Sequence, residues 1–466
     1  MYPRSWPVCL LVVAACGRLD FAAIGDHGDD GATDAPATGP TGTRYLIELD
    51  ANATAPTIAG KQGRVAVLEG FEGATTIAGT ALAGQAMYAS SGLVWFDPTG
   101  AVTASTVLDS TSICEIRALG GVLAGDGVLA VGISEATVAM PAYGPCAIAT
   151  SRQDGIAIAI DPAGGQSLVA DVVSQTFNIQ SWFATGFRDG SIAIAGVYGG
   201  GGMLGAASLP VTGSDENSFL ARVDPATGEP RWGLTVNSAD ELGSGPIDSD
   251  GDELCAMGEF SGTMSVFDIP LTAVGLRDAW IARLDHDGHA RFVRDIGSTA
   301  QESTGAGTSI VATSDGGCTV VLPVIGDVAI DSFSLPASQG SDVLVRFDAT
   351  GTAIAATRIG GRLQLARLGD RIFGALPCSA ASCALGDLSY TAVGDDIAIA
   401  SLDPQLHATL IAALTGGATT LDQLTAIPPD ALAIAFGASA ATTSLGALSL
   451  SPEGSVNALG VLGVAP

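Results

Sequence analysis

The stretch DSDGDE, Asp248 to Glu253, comes nearest to metal chemistry, because Asp248, Asp250 and Asp252 alternate along the chain as carboxylates do around a calcium ion. The rest of an EF-hand pattern does not accompany them. Asp-Gly is also what a tight turn demands, so turn chemistry is the expected role and the three aspartates are weak metal candidates only. The histidines, His27, His286, His289 and His407, are the general-base candidates, and none stands at a motif spacing from a nucleophile and an acid. The expectation is a protein without catalysis and without a cofactor.

What positions these residues is a repeat. DAWIARLDHDGHARFV at 278–293 returns as NSFLARVDPATGEPRWGL at 217–234, SDVLVRFDATGTAIAA at 341–356, DGIAIAIDPAGGQSLVA at 154–170 and DDIAIASLDPQLHATLIA at 395–412. Aligned on the turn, the comparable residues are Asp97, Asp161, Asp224, Asp285, Asp348 and Asp403, spaced by 64, 63, 61, 63 and 55. One supersecondary unit is being repeated. Each unit also has an earlier apolar strand: RVAVLEG at 64, GVLAVGI at 127, SIAIAGV at 191, ELCAMGEF at 253, CTVVLPV at 318, RIFGALP at 371 and ALAIAFG at 431. A shorter apolar segment stands before each of them, often joined to it by a turn of Asp-Gly type. The unit therefore has four strands, A to D, exemplified by TSIVAT, CTVVLPV, DVLVRFD and TAIAATRI.

Four antiparallel strands in about sixty residues, repeated seven times, predict an all-β fold, a seven-bladed β-propeller rather than a solenoid. Strand C agrees. Trp280, Ala282 and Leu284 lie on one face and Ala279 and Ile281 on the other, with Arg283 the polar exception, as in a sheet packed between two neighbours. In the following turn, aspartate bonds the turn backbone and glycine takes the positive φ. The seventh unit ends with strand C, VNALGVLG at 456–463, and has no strand D, whereas RYLIELD at 44–50 precedes unit one without a place in it. Residues 44–50 are thus expected to supply the missing outer strand and close the ring.

On these repeats the chain resembles the bacterial β-propeller-repeat proteins built on D-A-F-V-A-K-L-D-P-x-G, with a strand order similar to NHL-type propellers, over residues 44–466. The copies are degenerate (GLVWFDPTG at 92, VNALGVLG at 456), and the resemblance implies a fold and no single activity. Thr313 to Gly317, TSDGG, is only a fragment of the S-x-D-x-G-x-x-W box of sialidase-like propellers.

Among the cysteines, Cys378 and Cys383 in CSAASC can close a small loop, a constraint worth about 2 kcal/mol. Cys114 and Cys146, near strand A and the B-to-C connection of unit two, are a second candidate pair that the sequence leaves open. Cys255 and Cys318 lie on strands B of neighbouring units with equal parity, so both are expected to point the same way round the ring and not to pair. No spacing suits a four-ligand zinc site.

The first residues, MYPRSWPVCLLVVAACGRLD, hold one arginine before an apolar run, Val8 to Ala15, too short to cross a bilayer. Residues 1–15 read as a signal peptide. Val13-Ala14-Ala15-Cys16 resembles the bacterial lipobox, which implies that the Cys16 thiol carries diacylglycerol and that the N-terminus is acylated, palmitate being the usual chain. Each buried methylene of such an anchor is worth about 0.8 kcal/mol. The resemblance also implies the outer membrane, because Gly17 rather than aspartate follows. Residues 16–42 then form an acidic Gly/Ala/Pro tether without hydrophobic period, in which His27 has no fixed geometry, and 43–466 the propeller.

With 48 acidic against 19 basic residues, the net charge of -29 repels phosphate backbones, so nucleic acid is not an expected partner. The B-to-C connections are long enough to be a binding face, but they share an apolar pattern of their own (MSVFDIPLTAVG at 264, VAIDSFSLPASQG at 328, TTSLGALSLSPEG at 442), which equally suits packing. Tyr143, Tyr198 and Tyr390 lie in or beside them. The expected function is a lipid-anchored envelope or cell-surface propeller that binds a protein or glycan. The alternatives are a periplasmic scaffold for outer-membrane assembly or an enzyme with a dispersed site on the propeller face. Which side of the membrane it faces is left open.

Overall fold

The computed structural model describes residues 42–49, 56–84, 89–108, 114–122, 127–134, 139–140, 144–145, 154–161, 163, 165–174, 180–198, 201–210, 217–236, 242–299, 308–337, 341–379, 383–439 and 441–465. Within them every regular element is a β-strand, and seven antiparallel sheets are set in a ring. Blade four shows the plan. Strands A (Leu242–Ser249), B (Leu254–Phe260), C (Asp278–Leu284) and D (Ala290–Ile296) pair in that order. Strand C is buried along its whole length, because a neighbouring blade covers each face.

The innermost strands are Thr57–Lys61, Cys114–Val122, Gln180–Gly186, Leu242–Ser249, Ser309–Ala312, Gln364–Leu368 and Ala418–Ile427, each beside the next and the last beside the first. Side chains lace them to one another. Gln423 Oε1 accepts from Ile58 N–H (2.7 Å), Asp248 Oδ2 from Ala312 N–H (2.8 Å) and Ser309 Oγ from Leu365 N–H (3.1 Å). At the seam of blades one and seven, Gly60 is required by proximity, since a Cβ there would stand 2.4 Å from Ala426 O.

The ring closes as the chain ends foretell. Strand Gly42–Glu48 pairs antiparallel with Val456–Gly463 as the outermost strand of blade seven. Tyr45 and Leu49 are buried there, and Arg44 meets Asp430 at 2.6 Å. Strand 456–463 has the predicted bounds, and the turn aspartates do the predicted work. Asp97 Oδ1 accepts from Thr99 N–H at 2.8 Å while Gly100, at φ +86°, closes the turn. In blade six a leucine, Leu406, takes the positive-φ place at +65°, and it is buried.

The structure corrects one pairing. Cys255 and Cys318 form a disulfide, with Cα atoms 6.1 Å apart. Aligning the strands B set the two cysteines apart by two residues, an even offset, but in the ladders they are one residue apart. Leu254 stands opposite Leu284, and Cys318 opposite Phe347, so the equivalent of Cys318 is Leu254. An odd offset turns a side chain to the other face of a sheet. Cys255 therefore looks toward blade five while Cys318 looks back toward blade four. A second disulfide joins Cys378 and Cys383. Cys114 begins the inner strand of blade two, whereas Cys146 lies outside the described residues, and with it that pairing; Cys16, His27 and the tether up to residue 41 lie outside them too, while Gly42 begins the closing strand.

Candidate functional site

The polar exception on strand C is part of a series. Arg222, Arg283 and Arg346 each precede a turn aspartate by two residues in blades three, four and five, and all three are buried. A buried guanidinium must be paired, and each finds its partner in the A-to-B turn of its own blade. Arg222 meets Asp189 at 3.1 Å, Arg283 meets Asp250 and, at 3.0 Å, Glu253, and Arg346 meets Asp315 at 2.6 Å. Two also reach the next blade. Arg222 donates to His286 O, and Arg283 donates to Gly317 O at 3.1 Å. Burial raises the pKa of Asp189, but hydrogen bonds from Ser191 and the charges of Arg222 and Arg231 outweigh it and hold the carboxyl well below its usual range. Asp315 is likewise lowered: burial opposes, while Thr313 and Arg346 prevail.

The weak metal candidates have partners of their own. Asp248 sits on the inner strand and accepts from Ala312 N–H; Asp250 is taken by Arg283 and by the backbone N–H groups of Asp252 and Glu253; Asp252 faces Arg188 of blade three at 2.6 Å. The carboxylates turn to three separate partners instead of converging. Contrary to the sequence reading, a glutamate, Glu259, does stand twelfth counting from Asp248, at the place of an EF-hand's bidentate ligand, but it lies about 13 Å further along strand B than Cys255, the residue opposite Asp248, and it pairs with Arg277. Asp285, Asp287 and His289 do lie close together at the next turn, ligand atoms within 4.8 Å, but Asp285 is accepting the backbone N–H groups of that turn. His407 is held by Asp403 at 2.9 Å, which raises its pKa, in the same kind of turn.

The long B-to-C connections of blades three to seven fold into hairpins that pack on the preceding blade. In blades three, six and seven the hairpin strands Gly202–Leu204, Cys383–Leu385 and Thr443–Leu445 pair with the outer strand of blades two, five and six. In blade four Met264, Val266 and Leu271 pack with Trp232 and Leu234 of blade three, and in blade five Val328, Ile330 and Leu335 pack with Phe292 and Ile296 of blade four. Their shared apolar pattern is thus interblade packing. Tyr198 donates to Pro210 O and Tyr390 to Asp396 Oδ2, each at 2.9 Å, while Tyr143 lies outside the described residues. What these connections leave in water is a set of aliphatic tips, Val274, Leu276, Ile325 and Val393, at the B-to-C ends of blades four to six.

The arginine clamps were missed in the sequence, although their signal is there: an arginine two before the turn aspartate, with an acid in the A-to-B turn of the same repeat. No family model matches the chain, and no curated protein matches it. Among solved structures it is similar to the acylaminoacyl peptidase of Pyrococcus horikoshii, at 9% identity and TM-score 0.43 over 87% of this chain and 52% of that one. It is also similar to the β-propeller domain of the trilobed protease from Pyrococcus furiosus, at 9% identity and TM-score 0.43 over 86% and 97%. A protein of unknown function from Dyadobacter fermentans follows, at 10% identity and TM-score 0.39 over 92% and 100%. The chain spans about half the length of the first of these. The assignment as a seven-bladed propeller rests on the sheets themselves.

Proposed function

We propose that the protein is an exported, lipid-anchored, non-catalytic propeller that binds a protein or glycan at the outer membrane. The observation that carries this reading is the disulfide Cys255–Cys318, sealed from water between two blades. Disulfides of this kind form in oxidising compartments and are rare where thiols are kept reduced, which agrees with the N-terminal lipobox at Cys16. A ring closed at both chain ends by one strand and cross-linked between blades is a rigid scaffold for binding, suited to service outside the cytosol. The reading as a binder is supported by the clamps, which commit the acidic side chains nearest to acid–base or metal chemistry to arginines.

The test is protease shaving and antibody labelling of intact cells carrying a tag within residues 17–42, with Cys16→Ser as the control. Labelling from outside, lost to the medium in the control, is the expected result for a surface binder. Protection until the outer membrane is opened would place it on the periplasmic side, as a scaffold for envelope assembly. A reduced, cytosolic chain would overturn the proposal.

A further inference from the structure

The aliphatic tips of blades four to six are built alike: in each, a buried charged residue of the same blade holds the backbone of the tip. Asp278 accepts from Val274 N–H at 2.8 Å and from Gly275 N–H at 3.4 Å, and Leu276 follows. Arg358 donates to Val324 O at 2.6 Å and to Gly326 O, the carbonyls on either side of Ile325. Asp396 accepts from Val393 N–H and the Tyr390 hydroxyl, each at 2.9 Å, and from Gly416 N–H at 3.0 Å. Val274, Leu276, Ile325 and Val393 are 65 to 88% exposed, so packing within the ring does not account for them. A polar turn can fill the same place, as blade seven shows with Glu453-Gly454-Ser455, all exposed.

Among the described residues no aromatic side chain belongs to the exposed large apolar set, whereas protein interfaces centre on Trp, Tyr and Arg anchors. The charges beside the tips nearly cancel. Arg277 pairs with Glu259 at 3.1 Å, and Arg362, whose charge reaches Asp342 at the same end of blade five, offsets one of Asp327 and Asp395. In a chain of net charge -29 this arc is close to neutral and purely aliphatic, which suits a bilayer of zwitterionic lipid, while a second copy of the chain would add its own negative charge. The tether reaches such a surface. It joins the ring at Gly42, and residues 17–41 extend to about 80 Å, more than three times the length of roughly 23 Å of strand Asp278–Leu284.

We propose that these tips dock the ring on a zwitterionic lipid bilayer, with Val274, Leu276, Ile325 and Val393 entering the boundary between headgroups and acyl chains. The inference rests on the membrane location proposed above and adds to the acyl anchor a second, non-covalent contact that orients the ring. Because Asp278, Arg358 and Asp396 fix the backbone of the tips, the aliphatic side chains are presented with little left to order on docking. Binding of this kind scales with the apolar area taken out of water, so one aliphatic side chain is worth about tenfold in partitioning.

The test is flotation of the purified Cys16→Ser chain, which carries no acyl group, with vesicles of phosphatidylethanolamine and phosphatidylcholine, and with the same vesicles after phosphatidylglycerol is added. The expected result is flotation with the first and less with the second. Val393→Ser and Ile325→Ser should each weaken it about tenfold with melting temperature retained. Ile354→Ser, at an exposed aliphatic near the opposite end of blade five, should leave it unchanged. Flotation with neither vesicle, flotation that phosphatidylglycerol strengthens, or flotation that neither tip substitution weakens would overturn the proposal. Absence of flotation together with crosslinking in cells from a photoreactive group at Val393 to an envelope protein would assign the tips to a protein instead. The assay uses the unacylated chain and the shaving experiment reads the anchor, so the two failures are distinguishable.

Discussion

Cys255 and Cys318 face each other from adjacent blades, Cα atoms 6.1 Å apart and neither exposed to water, with the Arg283 guanidinium 3.2 Å from the Cys255 sulfur. One covalent bond and one buried cation thus join blade four to blade five at the same point.

Removing that bond has a calculable consequence. It closes a loop with a sequence separation of 63, for which chain entropy gives about 4 kcal/mol. The double variant Cys255→Ala/Cys318→Ala is expected to lose on the order of that amount in denaturant unfolding. In native buffer, dithiothreitol should leave this bond intact while reducing Cys378–Cys383, where Cys383 is partly exposed. Peptide mapping after alkylation reads both, and the reverse order of reduction would contradict the burial.

Arg283→Ala removes the buried cation that Asp250 and Glu253 share and leaves a cavity between blades. Truncating one partner of a buried pair typically costs about 3–5 kcal/mol. Arg188→Ala breaks a pair whose side chains are 51% and 64% exposed and should change stability by less than about 0.5 kcal/mol. Equal effects of the two substitutions on the unfolding free energy would refute the distinction.

Deleting residues 42–49 removes the outer strand of blade seven with Tyr45 and Leu49. The expected loss is on the order of 4 kcal/mol from these two side chains, together with a broader melt as the ring opens. A sharp transition at the original temperature would show that the ring does not depend on this strand.

Asp422 should make stability depend on pH in the direction opposite to a salt-bridged carboxylate. Burial raises its folded pKa to about 6, above the unfolded value of about 3.9, so the folded state holds the proton more tightly. Stability from this group is present below about pH 4 and lost as pH rises to about 6. Asp422→Asn should flatten that fall in a stability–pH profile. A profile identical to the wild type across this window would remove the assignment.

Calcium should leave the melting temperature unchanged, because Asp250 and Asp252 are held by Arg283 and Arg188 and Asp248 is laced to blade five. A rise on adding calcium that a chelator reverses would count against these pairings.

Much of this architecture is written locally. The turn aspartates, the seven strands B and the unmatched strand at 44–50 are legible because a blade's period, its turn chemistry and its double-sided burial are properties of consecutive residues. Tertiary structure decided whatever depends on which residues of neighbouring blades meet. A one-residue difference in ladder register, invisible in the alignment, turned Cys255 toward Cys318. The packing of each long connection onto the blade before it, and the convergence of Arg222, Arg283 and Arg346 on their acids, arise between segments far apart in the chain. Side-chain direction in a strand reverses with every residue, so sequence alone establishes the blade, and only the assembled ring establishes what each blade presents to the next.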